Sequence, residues 1–258
     1  MKNSILVRAL IVLMISSPLA LAQSTKPTVV LVHGAFADAS GWSGVIKLLH
    51  EHGYPVVAAA NPLRGVKSDA AGVSDLLSSI KSSVVLVGHS YGGSVISAAA
   101  NGHDNVKALV YVAGFAPDVG ENALALSGKF PGSTLGPALA APVLLAGGGK
   151  DFYIDQGKFK AQFAADIPAS VAGVMAATQR PIAEAALVEP SPSPAWKSIP
   201  AWFIYGDQDK NIPPQALAFM AERARSRGSV VVKGGSHALM VSNAKAVARL
   251  IETAASVP

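Results

Sequence analysis

Val84-Val85-Leu86-Val87-Gly88-His89-Ser90-Tyr91-Gly92-Gly93 decides how the rest of the chain reads. Four apolar, β-favouring residues predict a strand buried on both faces. Gly-x-Ser-x-Gly follows at once, and the small-residue run from Gly93 to Ala100 predicts a helix. Strand, sharp turn and helix around a serine form the context in which a hydroxyl is lifted above a sheet edge as a nucleophile. The backbone of so tight a turn is strained, and Gly88 and Gly92 supply the small neighbours it needs. The same turn leaves the N–H of Tyr91 free to face a developing oxyanion. The plainer alternative is an ordinary Gly-rich turn, and the flanking pattern weighs against it.

Working outward, strands and helices alternate. Thr28–Val32 is a continuous apolar run that ends at His33-Gly34-Ala35-Phe36. Ser40 is expected to cap a helix running to about Gly53, Pro55–Ala60 to be a strand and Asp69–Ile80 a helix. Val106–Ala113 reads as another buried strand, Ala201–Tyr205 and Ser229–Val232 as later ones, with helices over Pro213–Arg225 and Ser242–Ala255. This spacing predicts a doubly wound, mostly parallel α/β sheet. The alternation breaks between residues 117 and 195, where prolines, Gly147-Gly148-Gly149 and short helical patterns at Phe159–Ala165 and Ala169–Thr178 predict an inserted, partly helical cap. Glu189-Pro190-Ser191-Pro192-Ser193-Pro194 looks like its return linker.

The chain has 258 residues, with 21 basic and 16 acidic side chains, a net charge of +5 and no cysteine. Disulfides, thiolate nucleophiles and thiolate metal sites are thereby excluded. Residues 1–22, with Lys2, Arg8, a short apolar run and Ala20-Leu21-Ala22, match a secretory leader, so export to the periplasm or medium is expected. Without Lys2 and Arg8 the balance is 19 basic against 16 acidic residues, or +3, scattered without a basic stripe. No nucleic acid and no stable membrane anchor are expected as partners.

A serine hydroxyl is a weak nucleophile near neutral pH, so it needs a base and a group that orients the base. Two late strands supply candidates. Ala201–Tyr205 runs into Gly206-Asp207-Gln208-Asp209, and Ser229–Val232 runs into Lys233-Gly234-Gly235-Ser236-His237. Either Asp207 or Asp209 could serve as the acid, the other being a turn residue.

His33-Gly34, the Gly88–Gly92 turn, Gly206-x-x-Asp209-x-x-x-Pro213 and Gly235-x-His237 together resemble the α/β-hydrolase family, over essentially all of the chain after residue 22. Within it the chain is similar to the branch of plant methyl esterases and hydroxynitrile lyases, and to bacterial hydrolases with a similar Phe-Ala-Ala-Asp-Ile-Pro segment. The resemblance implies Ser90 as nucleophile, Asp209 as acid and His237 as base, with the N–H groups of Ala35 and Tyr91 as oxyanion hole. It implies a small-molecule ester as substrate and no cofactor or metal. Phe36, His89, Phe152, Tyr153 and Met175 are candidate pocket residues, although a cap core uses the same residue types. In the similar lyases a lysine follows the base; here it is Ala238, so a departing cyanide would lack a cation and hydrolysis is favoured. Dehalogenases and epoxide hydrolases of this fold carry aspartate where Ser90 stands. A cofactor-free perhydrolase or haloperoxidase, or a non-catalytic binder, remain the alternatives.

The other polar candidates have bland alternatives. Asp118 is expected to hold the turn into the cap. His33 and His89 are expected to shape turns through backbone hydrogen bonds. His50 and His52 flank Glu51, but i and i+2 do not share a helix face. Arg180 could grip a carboxylate or snorkel from the cap.

Overall fold

The computed structural model describes residues 26–256; the expected leader, residues 1–22, lies outside them. The order of elements is β1 (Thr28–Val32), α1 (Ser43–Glu51), β2 (Val56–Ala59), α2 (Val66–Ser79), β3 (Val84–His89), α3 (Tyr91–Ala99) and β4 (Val106–Val112). The segment between β4 and the next sheet strand carries α4 (Ala123–Gly128), α5 (Leu135–Ala138), β5 (Val143–Leu144), β6 (Lys150–Phe152), α6 (Gln156–Phe163), α7 (Ala169–Thr178), β7 (Ile182–Ala183) and α8 (Glu184–Val188). Then follow β8 (Ala201–Gly206), α9 (Pro214–Arg223), β9 (Gly228–Val232), α10 (Leu239–Ser242) and α11 (Ala244–Ala255).

The main sheet has six strands in the order β2-β1-β3-β4-β8-β9, and every pairing is parallel. β1, β3 and β8 are buried along their whole length, which is why they are uninterrupted apolar runs: helices cover both faces of a parallel sheet. All these strands end on one edge, where ligand sites of open parallel sheets form. Backbone strain collects there. Among the described residues the non-glycine positions with left-handed φ are Phe36, Leu63, Ser90, Ala113 and Arg225. The first four follow β1, β2, β3 and β4 in turn, the last follows a helix. Such strain costs on the order of 1–3 kcal/mol each and persists only where surrounding packing imposes it.

Three expectations shift. Asp38, not Ser40, caps the first helical segment; its carboxylate accepts from the Ser40 N–H at 2.8 Å and opens a 3₁₀ turn over Ala39–Trp42 before α1. α2 begins at Val66 rather than at Asp69, because the buried Asp69 carboxylate reaches back to the Arg64 N–H at 3.1–3.2 Å and closes the turn from inside. The expected last helix, Ser242–Ala255, begins at Ala244 as α11, and the short α10 precedes it. The cap also holds a three-stranded antiparallel sheet, β5-β6-β7, which its two- and three-residue strands did not announce. Among the described residues no helix is long and apolar enough to cross a membrane.

Candidate active site

The turn after β3 is as tight as its sequence demands. A Cβ on Gly88 would lie 2.6 Å from the Gly92 carbonyl oxygen, and one on Gly92 would lie 2.5 Å from the Val32 oxygen. Neither position can carry a side chain without moving backbone. Ser90 itself has φ 53° and ψ −126°, so its hydroxyl stands at the N-terminus of α3.

Three side chains from three strand ends meet there. Ser90 Oγ lies 2.9 Å from His237 Nε2, and His237 Nδ1 lies 2.7 Å from Asp209 Oδ2. Asp209 Oδ1 accepts from the N–H groups of Asn211 at 2.8 Å and Ile212 at 3.0 Å. Both carboxylate oxygens are thus committed, and the ring is held with Nδ1–H toward the acid and the Nε2 lone pair toward the hydroxyl. All three residues are buried. Asp207 is elsewhere engaged: its carboxylate accepts from the Gly234 N–H at 2.7 Å and ties the β8 loop to the β9 loop.

Among the described residues, the N–H groups of Ala35 and Tyr91 have no protein acceptor, and both residues line the cavity into which Ser90 faces. The next N–H along, that of Phe36, is taken by the Arg180 carbonyl at 3.0 Å. The Tyr91 phenol points the other way and donates to Asp69 Oδ2 at 2.9 Å. Burial, then the Asp69 charge, push the phenol's pKa well up, so it remains a donor. Asp69 thereby links the first turn of α2 to the residue after Ser90.

The remaining candidates are placed as follows. His89 is fully buried behind His237 and bonds the His237 carbonyl oxygen through Nε2 at 3.1 Å; burial and the neighbouring His237 lower its pKa well below the usual value and keep it neutral. It holds the backbone of His237 and does not line the Ser90 cavity. His33 accepts from the Asn61 N–H through Nε2 at 3.1 Å, and burial lowers its pKa too. Phe36 lines the cavity, but Phe152, Tyr153 and Met175 do not. Phe152 lies on β6, Tyr153 borders a separate surface pocket, and Met175 lines a groove beneath α7. The cavity wall comes instead from α4, α5, the residue Leu139 and Leu187 of α8. Asp118 pairs with Lys197, which lowers its pKa, and His52 pairs with Glu252. Arg180 is exposed.

Gln162 carried no catalytic pattern, yet it grips the loop of Asp209 from the cap. Its Nε2 donates to the Lys210 carbonyl at 2.9 Å and to Asn211 Oδ1 at 2.8 Å, while its Oε1 accepts from Thr134 Oγ1 at 2.8 Å. The carbonyl of the next residue, Phe163, accepts from the Ala238 N–H at 3.1 Å and from Ser236 Oγ at 3.3 Å. One turn of α6 therefore braces the loops of both Asp209 and His237. Nothing in the short helical pattern at Phe159–Ala165 marked it.

The model of the alpha/beta hydrolase family matches residues 29–250, and the chain belongs to that family. It is 26% identical to the alpha/beta hydrolase nvfD of Aspergillus novofumigatus, over 89% of this chain and 97% of that one. Among solved structures it is similar to polyneuridine aldehyde esterase, with a TM-score of 0.77 at 17% identity over 88% of this chain and 98% of that one. It is also similar to methylesterase MES16 from Arabidopsis, with a TM-score of 0.70 at 18% identity over 89% and 99%. At such identities the likeness to the solved structures is one of fold.

Proposed function

We propose that this hydrolase cleaves carboxylic esters through an acyl-enzyme on Ser90. The observation that carries the reading is the continuous line Ser90 Oγ–His237–Asp209, at 2.9 and 2.7 Å, beside two unoccupied N–H donors. In the proposed sequence the Ser90 oxygen bonds to the ester carbonyl carbon while its proton moves to His237 Nε2. The carbonyl oxygen becomes an oxyanion facing the N–H groups of Ala35 and Tyr91. On collapse, the C–O bond to the alcohol breaks and His237 protonates the leaving oxygen. Water then attacks the acyl carbonyl, His237 takes its proton, and Ser90 leaves with that proton as the acid is released. Asp209 holds the imidazole tautomer throughout and stabilises the imidazolium.

The cavity supports a small, neutral substrate. Its volume is about 140 Å³, and no lining residue is charged. The esterases among the fold neighbours accord with this reading. Peroxide could replace water as the acceptor, which would make the protein a perhydrolase. Export, implied by residues 1–22, belongs to the same proposal.

A fluorophosphonate probe is expected to label the native protein once, on Ser90. Ser90→Ala is expected to keep the fold, lose labelling and lose nearly all turnover of an activated ester such as nitrophenyl acetate. What remains is at most roughly 10³–10⁴-fold over water, from the oxyanion donors and binding. A folded native protein that neither reacts with the probe nor cleaves any such ester would leave only a binding role.

A further inference from the structure

We propose that Phe36 sets the length of substrate chain the site accepts, by standing between the Ser90 cavity and a half-open groove along α7. The inference rests on the ester-hydrolase reading and specifies its substrates as neutral esters with one short chain. The cavity at Ser90, about 140 Å³, is well below the roughly 300–1,000 Å³ of pockets that enclose larger ligands. A half-open groove of about 400 Å³ lies nearby; Val171, Val174 and Met175 of α7 and Ala37 make its apolar part, and Asp38, Ser40 and Gln179 also line it. Phe36 is the single residue that lines both.

Its backbone is held firmly. The N–H is bonded to the Arg180 carbonyl at 3.0 Å, φ is 59°, and the ring meets Phe163 edge-on with centroids 6.5 Å apart. A bulky residue is costly at left-handed φ, where glycine or asparagine is at ease. The ring contributes no polar group to the chemistry; what it does contribute is a wall. Removing it joins the two spaces without touching Ser90, His237 or Asp209.

The experiment measures kcat/KM for two series, nitrophenyl esters of growing acyl length and acetates of growing alcohol length. In the native protein, rates are expected to fall as the chain grows. Phe36→Ala is expected to raise the long-to-short ratio at least roughly tenfold in one series, since each methylene housed in an apolar pocket is worth about that much. The series that responds tells which side of the ester faces Phe36. Phe36→Leu is expected to shift the ratio less and carries the test if the alanine variant melts early. Adding Met175→Trp, which refills the groove, is expected to return the Phe36→Ala ratio toward the native one. Folded Phe36 variants that still cleave short esters with an unchanged ratio in both series would overturn the inference while leaving ester hydrolysis standing. A native protein that cleaves no ester of any length would overturn both.

Discussion

The main sheet and the cap are built by different physical means. β1, β3 and β8 are wholly buried, and five parallel ladders hold the sheet together. The cap strands are two or three residues long, and Val143 and Leu144 of β5 are 49% and 74% exposed. Phe159 and Phe163 of the cap share the apolar core of the sheet, and polar contacts add ties at a few further points. Arg64 Nη1 meets Asp151 of β6 at 2.7 Å and Arg64 Nη2 meets the Pro181 carbonyl at 3.1 Å. Leu63 accepts from the Ala183 N–H at 3.0 Å. Buried apolar ladders bring Ser90, Asp209 and His237 to one edge; the side-chain and carbonyl contacts of the cap then brace two of those three. That brace matters most for His237, whose strand β9 is the exposed edge of the sheet.

The largest expected effect tests whether the chemistry sits on the sheet loops as the geometry says. Asp209→Asn is expected to lower turnover about 10⁴-fold, because an amide favours the wrong histidine tautomer. Asp207→Asn, two residues away, is expected to cost far less, since that side chain contacts only the Gly234 N–H. Steady-state kinetics of the two variants would reassign the acid if their order were reversed.

A smaller effect tests the cap's share. Gln162→Leu leaves Asn211 Oδ1 without its buried donor, while the Lys210 carbonyl keeps only the Thr134 N–H. The expected cost in stability is about 1–3 kcal/mol. Turnover is expected to fall by roughly ten- to a hundredfold, because small displacements of a catalytic group are costly. Gln162→Glu, which sets a carboxylate against two acceptor oxygens, is expected to be at least as damaging at neutral pH. A thermal melt alongside kcat separates the two effects. An unchanged kcat in a destabilised variant would make the cap a cover and no more.

The smallest effect concerns the histidines beneath the site. His33 and His89 have folded pKa values lowered from 6.5, chiefly by burial. Below pH 6.5 the unfolded chain binds protons that the folded chain refuses. Stability is therefore greatest above that pH and falls as pH drops through the window between the unfolded and folded values, by up to about 1.4 kcal/mol per pH unit for each group. Denaturant melts between pH 7.5 and 5.5 are expected to show this slope, and His89→Gln is expected to flatten it.

The same contrast explains what could be read in advance. Val84–Val87 is legible as a strand because burial on both faces admits only apolar residues, and Gly88 and Gly92 mark the turn because nothing larger fits. His237 is legible by its place after a late strand, and the acid is legible as one of two residues, Asp207 or Asp209. Gln162 was not legible: it acts only by meeting Lys210 and Asn211, 48 and 49 residues away, and no local period encodes that. Phe152, Tyr153 and Met175 were candidate pocket residues on residue type alone, and type does not say which cavity, if any, a side chain lines.

The chain's own order of residues thus determined the strand–turn–helix at Ser90, the alternation that makes a parallel sheet, and the residue types able to activate a hydroxyl. These follow from short-range rules of burial, backbone conformation and hydrogen bonding. Only the tertiary structure decided which aspartate faces His237, which helices wall the cavity, and that Phe36 separates it from a larger space. Those depend on contacts between segments far apart in sequence, such as Ser90 and His237 across 147 positions, and are set by how the cap docks on the sheet edge.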